Sequence, residues 1–168
     1  MNFRIVLVLF VVMAWVLTGC EPEEQPNPDN AKINIVGFWT AQGNDIALTL
    51  ADTVNQMTLR FRTDSTYTMV QTTALGLSST YSGTYSVHKL QGTNDIYPFT
   101  LKQTLPVATT FKGIFEINEV IEPEELTLEY VQTLPNTGYT PPEPDYGFGS
   151  TNDGNLGTTN ISRFQRVE

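Results

Sequence analysis

Few residues in this sequence are suited to acid–base or metal chemistry. His88 is the only histidine, and it continues an alternation of serine and threonine over positions 82–88. This pattern places it on the solvent-facing side of a predicted strand. A catalytic triad pairs a histidine with a nucleophile and an acid, and a zinc site needs several His or Cys ligands. We therefore expect no catalytic residue, no metal site and no cofactor, and we interpret the protein as non-enzymatic.

Acidic side chains are concentrated between positions 116 and 129, where the chain carries six glutamates. Paired carboxylates can support acid–base catalysis or bind Ca²⁺. Pro123 lies among these glutamates, however, and a charged hairpin loop over 119–125 explains them more simply. Asp153, Gly154 and Asn155 match only a fragment of a calcium-binding loop. We interpret the acidic stretch as a solvated loop.

The elements that must position any binding residues are β-strands. From residue 33 onwards, apolar side chains recur at every second position, as in Met57, Leu59 and Phe61, which is typical of half-buried strands. Most of the turns between such runs are short, as in antiparallel hairpins. The segment 46–50 is predicted either as a ninth strand or as a lid over one end. The eight predicted strands are roughly 34–41, 57–63, 66–73, 81–88, 96–103, 111–118, 126–132 and 160–167.

Consecutive antiparallel strands of this number and length favour a closed barrel, because closure leaves no unpaired sheet edge. We predict an all-β fold, an eight-stranded antiparallel up-and-down barrel, with a two-sheet sandwich as the alternative. A barrel of about eight strands either is filled by side chains or holds one small ligand, and the sequence leaves both open. The aromatic candidates for ligand contact, which equally suit a plain core, are Phe61, Tyr67, Tyr85, Phe99 and Phe115.

A long segment without strand periodicity, 134–159, is the second candidate binding region. It is rich in Pro, Gly, Asn and Thr and contains Tyr139, Tyr146 and Phe148. Loops longer than about 12–15 residues are often functional or disordered. At a barrel mouth, these aromatic side chains would stack on a sugar, cover an apolar ligand or contact a protein. The alternative is that they pack on the outer wall.

The N-terminal residues have the features of an export signal. Arg4 precedes an apolar run over 5–17, which is shorter than the roughly 20 residues needed to span a bilayer and suits a signal peptide. The sequence Leu-Thr-Gly-Cys at 17–20 resembles the lipobox of bacterial lipoproteins. The resemblance implies cleavage before Cys20 and acylation of its sulfur and new amino group, which would anchor the protein in a membrane. The alternative is an uncleaved anchor or a buried helix.

These features divide the chain into a lipoprotein signal peptide (1–19), an acidic, proline-rich tether (20–32) and a barrel domain (33–168). Residues 21–30 include three prolines and four acids, which disfavour both helix and packed strand. Acids directly after Cys20 also resemble the signal that sends some Gram-negative lipoproteins to the surface. We expect a lipoprotein of the bacterial outer membrane, with display on its outer face or an ordinary solvated tether as the two interpretations.

The first predicted strand carries Gly37, Phe38 and Trp39, which resemble the Gly-x-Trp motif of lipocalins. In that family the tryptophan closes one end of the barrel under an arginine from the end of the chain. The resemblance implies this role for Arg166, with Arg163 as the second choice. Over 33–168 the chain is similar to bacterial lipocalin-like lipoproteins in its further motifs, which are Phe61/Asp64/Tyr67, Gly83/Tyr85 and Phe164/Arg166.

The combined prediction is a cell-envelope lipoprotein whose lipocalin-like barrel binds a small apolar or amphipathic ligand. Its expected partners are the membrane, through the lipid on Cys20, and a small hydrophobic ligand or a glycan. The net charge of −9 argues against nucleic acid as a partner. The alternative is a structural or interaction module that contacts a protein or glycan through its surface and the 134–159 loop.

Overall fold

The computed structural model describes residues 35–88 and 95–167. The predicted signal peptide, Cys20 and the tether lie outside the described residues. The regular elements are β1 (Gly37–Gln42), α1 (Leu48–Ala51), β2 (Gln56–Phe61), β3 (Thr66–Thr72), β4 (Ser78–Val87), β5 (Tyr97–Leu105), β6 (Thr109–Asn118), β7 (Glu125–Leu134) and β8 (Ile161–Arg166). Short 3₁₀ helices cover Gly43–Asp45, Pro144–Tyr146 and Gly157–Asn160.

The eight strands form a closed antiparallel barrel in sequence order, which confirms the predicted fold class. The barrel closes where β1 pairs with β8, with Trp39 opposite Arg166 and Thr40 opposite Gln165. Several strands are longer than predicted; β4, for example, begins at Ser78. Residues 78–80 are polar and pair with β3, and an apolar alternation cannot report such strand ends.

The segment predicted as a ninth strand or a lid is not a strand. It contains α1, a single helical turn with an exposed Leu48. The backbone N–H of Ala47 donates a hydrogen bond to Oγ of Ser162, 2.9 Å away. This bond holds the segment, which connects β1 to β2, against β8. The carbonyls of Ala47 and Leu50 and the amide of Leu50 form hydrogen bonds within the helical turn or just after it. Few backbone groups of the segment are therefore available for pairing with a strand.

The two ends of the barrel differ. At the closed end, which holds the start of β1 and the end of β8, the interior is filled by large side chains. Trp39 is fully buried, and the rings of Phe61 and Tyr85 lie 4.8 Å apart, edge to face. The mouth is the opposite end, where the β1–β2, β3–β4, β5–β6 and β7–β8 loops lie. From this end the core continues along β1 and β2 to Ile46 and Val54 in the β1–β2 loop.

Within the described residues, the sheet of the barrel is complete. Every strand finds its neighbours on both sides within 37–166, and the main core cluster runs from Ile35 to Phe164. We therefore expect 33–168 to fold as an independent unit.

Candidate functional site

A cavity of about 410 Å³ opens at the mouth of the barrel. Strands β3 to β8 supply its inner surface, and the β1–β2 and β7–β8 loops supply its rim. Its volume falls within the roughly 300–1,000 Å³ range of small-molecule sites. The interior of the barrel is therefore partly filled. Core side chains occupy the closed end and the β1–β2 side, and the cavity opens among β3 to β8 at the mouth.

The floor of the cavity is apolar and aromatic. Phe111 meets Tyr130 edge to face at 5.7 Å, and the Tyr130 hydroxyl lies 3.8 Å from Sδ of Met69. Tyr81 completes the floor. Burial raises the pKa of Tyr130 to about 12, because water no longer stabilises the phenolate. The phenol therefore remains neutral at physiological pH and retains its proton as a hydrogen-bond donor.

Three carboxamides stand above this floor, one each on β3, β5 and β7: Gln71, Gln103 and Gln132. Nε2 of Gln103 donates to the carbonyl of Val107, and Nε2 of Gln132 donates to the carbonyl of Pro135, both at 2.8 Å. Because a carbonyl only accepts, these bonds fix the orientation of both amides. Each of these amides therefore keeps its carbonyl oxygen, together with its second N–H, for a ligand.

One side of the mouth is closed by side-chain hydrogen bonds instead of a strand pair. Strand β8 pairs with β7 only as far as Glu129 opposite Ile161. Beyond that point Asn160 donates through Nδ2 to the carbonyl of Tyr130 at 2.9 Å, and its Oδ1 accepts from Thr49 at 3.4 Å. Helix α1 and the 157–160 turn therefore form the wall of the cavity here.

The cavity is uncharged. Of the described residues that line it, none is a lysine, arginine, histidine, aspartate or glutamate. The polar groups of this lining are carboxamides, including that of Asn160, and hydroxyls, including that of Ser162. Apolar contacts can retain a ligand here, while a few neutral polar groups set its orientation.

The closed end has the geometry that the lipocalin resemblance implies. The Arg166 guanidinium lies 4.2 Å from the Trp39 ring centroid, and its Nε is 2.5 Å from Oε2 of Glu124. Trp39 Nε1 donates to the carbonyl of Ile35 at 2.9 Å. A side chain at Gly37 would collide with the Arg166 guanidinium. Arg163 points outward, with its Nε 3.9 Å from Glu125.

The five strand aromatics singled out in the sequence lie in the packed interior, not around the mouth cavity. Phe61, Tyr67, Phe99 and Phe115 are at most 2 % exposed, and Tyr85 donates to the carbonyl of Arg62 at 2.8 Å. In the described part of the chain, the Tyr67 hydroxyl is the one buried polar side-chain atom without a hydrogen-bond partner. Burial also raises the pKa of Tyr67 to about 12.

The structure separates the three aromatic residues of the long loop. Tyr139 lines the mouth cavity. Tyr146 and Phe148 instead border a second groove within the loop itself. The loop is fastened to the outer wall by Glu129, whose carboxylate accepts from the backbone N–H groups of Gly149 at 2.6 Å and Thr151 at 3.0 Å.

Sequence reasoning missed the three glutamines of the cavity. Each stands two positions after an inward-facing apolar residue, as Gln71 follows Met69 and Gln103 follows Leu101. Strand parity therefore places them on the inner face. A polar side chain at an inward position is the signal that marks an unfilled part of a barrel, since burying an unpaired amide is unfavourable.

The residues with possible acid–base or metal chemistry do not assemble a site. His88 is exposed at the end of β4, and Glu119 to Glu122 are exposed in the β6–β7 loop. Within 35–88 and 95–167, no group of three or more His, Cys, Asp or Glu side chains is arranged to hold a metal ion. No helix in those ranges is both long enough and apolar enough to cross a bilayer.

The fold and the cavity together define a class, a small antiparallel eight-stranded barrel with one packed end and one open mouth, compatible with a lipocalin-like barrel. Comparison of the chain with protein-family models, with curated proteins and with solved structures found no match.

Proposed function

We propose that the protein binds a small amphipathic molecule in the mouth of its barrel. The observation that carries this proposal is the 410 Å³ cavity, with an apolar floor beneath neutral polar groups. Apolar surface removed from water contributes about 25 cal/mol per Å², so the Met69, Phe111 and Tyr130 floor supplies affinity. The carboxamides above it orient the polar end of the ligand.

The proposal is tested by titrating residues 33–168 with N-phenyl-naphthylamine, a neutral dye that fluoresces in apolar surroundings. Thr49 lines the cavity and is exposed on α1, whereas its neighbour Leu48 is exposed but does not line it. We expect Thr49→Trp to cover the mouth and weaken dye binding by about tenfold or more, or ~1.4 kcal/mol. Leu48→Trp, a change of similar size on the same helical turn, should bind like the natural sequence.

Two outcomes count against a mouth site. Equal weakening by both substitutions would indicate a general effect on α1, and an unchanged dye affinity in Thr49→Trp would place the dye elsewhere. Circular dichroism of both variants checks that the barrel is folded before the affinities are compared.

We further propose that the protein is a bacterial cell-envelope lipoprotein anchored through Cys20. The support is the export-signal pattern of 1–19 and its resemblance to a lipobox, since these residues lie outside the described part of the structure. We expect Cys20→Ala of the full chain, made in a Gram-negative bacterium, to lose incorporation of labelled palmitate and to leave the membrane fraction. Cys20 is the only cysteine, so retained label in this variant would refute sulfur-linked acylation.

A further inference from the structure

We propose that the mouth cavity is selective for uncharged ligands that donate hydrogen bonds, such as an alcohol or a primary amide on an apolar body, and that it discriminates against carboxylates. This inference rests on the proposed ligand-binding function. The ligand class follows from two properties of the cavity, the absence of charge in its described lining and the direction in which its amides point.

The first property is the lack of a counter-ion. An anionic head group brought into a partly buried site must exchange its water shell for a cation or for several N–H donors. No lysine or arginine is among the described residues that line the cavity. The acidic balance of the chain, −9, adds a long-range repulsion of anions. A fatty-acid carboxylate is therefore a poor match for this mouth.

The second property is the pair of amide oxygens whose orientation is fixed. The N–H groups of Gln103 and Gln132 that form hydrogen bonds are directed at the rim carbonyls of Val107 and Pro135. Gln103 is only 7 % exposed, and its oxygen is not among the buried atoms that lack a partner, so a ligand can reach it from the cavity. Amide oxygens that accept no hydrogen bond from the described residues favour a ligand with an O–H or N–H group.

A matched ligand series separates these properties from apolar contact alone. Decanol, decyl methyl ether and decanoate have similar apolar bodies but carry a donor, no donor and a negative charge, respectively. Each is used to displace N-phenyl-naphthylamine from residues 33–168 at neutral pH. We expect decanol to bind about threefold to tenfold more tightly than the ether, the usual range for one net hydrogen bond. Apolar contact alone predicts the reverse order, because the ether is the less polar molecule.

A lysine introduced at the rim tests whether the lack of a counter-ion is what disfavours carboxylates. Gln71 is half-buried and lines the cavity, while Gln56, on the neighbouring β2, is exposed and points outward. We expect Gln71→Lys to improve decanoate binding by about fivefold or more, as expected for a partly exposed ion pair, with decanol changed much less. Gln56→Lys adds the same charge to the outer wall and should leave both affinities unchanged.

The outcomes distinguish the two proposals. Decanoate that binds the natural sequence as tightly as decanol, or an ether that binds more tightly than decanol, overturns the selectivity while leaving ligand binding intact. An equal gain in decanoate affinity in both lysine variants would also overturn the selectivity, because it would show that the net charge of the protein, and not a counter-ion in the cavity, controls carboxylate binding. Failure of the dye and of all three compounds to bind would overturn ligand binding itself.

Discussion

Replacing Glu129 by alanine is expected to lower the free energy of unfolding by about 3 kcal/mol or more, because it leaves buried donors without an acceptor. Glu129 has no exposed surface, although it points away from the barrel interior. Its carboxylate accepts two backbone N–H groups of the long loop and the Thr151 hydroxyl. Thr151 is itself fully buried, so water cannot easily replace the lost acceptor. Urea unfolding of residues 33–168, followed by Trp39 fluorescence, measures the change.

The matched control is Glu116→Ala. Glu116 points outward on the adjacent strand β6 but is partly exposed, and such surface changes usually stay within ±0.5 kcal/mol. A similar loss of unfolding free energy in both variants would mean that removing a negative charge from the outer wall matters more than removing the contact between Glu129 and the long loop. Because Tyr139 and Asn160, near the two ends of the same loop, line the cavity, we also expect Glu129→Ala to weaken dye binding at the mouth.

The second large effect is expected at the closed end. Trp39→Ala should lower the free energy of unfolding by about 3–5 kcal/mol, the usual range for emptying a buried aromatic site. Trp39 has no exposed surface, its indole N–H is bonded to Ile35, and Arg166 covers its ring. The substitution also weakens the β1–β8 seam, where only two residue pairs lie in register. Thermal and urea unfolding followed by far-ultraviolet circular dichroism measure the loss without needing the tryptophan.

Trp39→Phe keeps a folded comparison if the alanine variant does not fold. Phenylalanine retains most of the buried apolar surface but loses the N–H donor, so we expect a loss of about 1–3 kcal/mol. Tyr146→Ala removes an aromatic ring that is 78 % exposed and should have little effect. A Trp39→Ala variant as stable as Tyr146→Ala would show that the closed end does not hold the barrel together.

The number and order of the strands could be predicted because their signals are local. A residue such as Leu59 faces inward or outward by parity alone, and turn residues mark where each strand ends. The same locality explains the errors. The polar start of β4 carries no apolar alternation, and the one-turn helix at Leu48–Ala51 is too short for a helical period to be recognised.

The anchor at Glu129 could not be predicted in this way. Strand parity correctly places its side chain on the outer face of β7, where a glutamate is normally solvated. It is buried only because residues 149–151 of the long loop fold back onto the wall. That contact joins positions about 20 residues apart and depends on the path of a loop that has no periodic pattern.

The strand pattern of the sequence predicted an eight-stranded antiparallel barrel, with a sandwich as the alternative, and the lipocalin resemblance drew attention to Trp39 and Arg166. That the interior is filled at the closed end and open at the mouth became visible in the three-dimensional structure. That arrangement depends on the level along the barrel axis at which the inward side chains of different strands meet. The pairing register around the whole barrel sets this level. Phe99 and Phe115 meet at 5.9 Å in the packed half, while Gln71, Gln103 and Gln132 surround the mouth cavity. Alternation along one strand gives the face of a residue but not its neighbours across the interior.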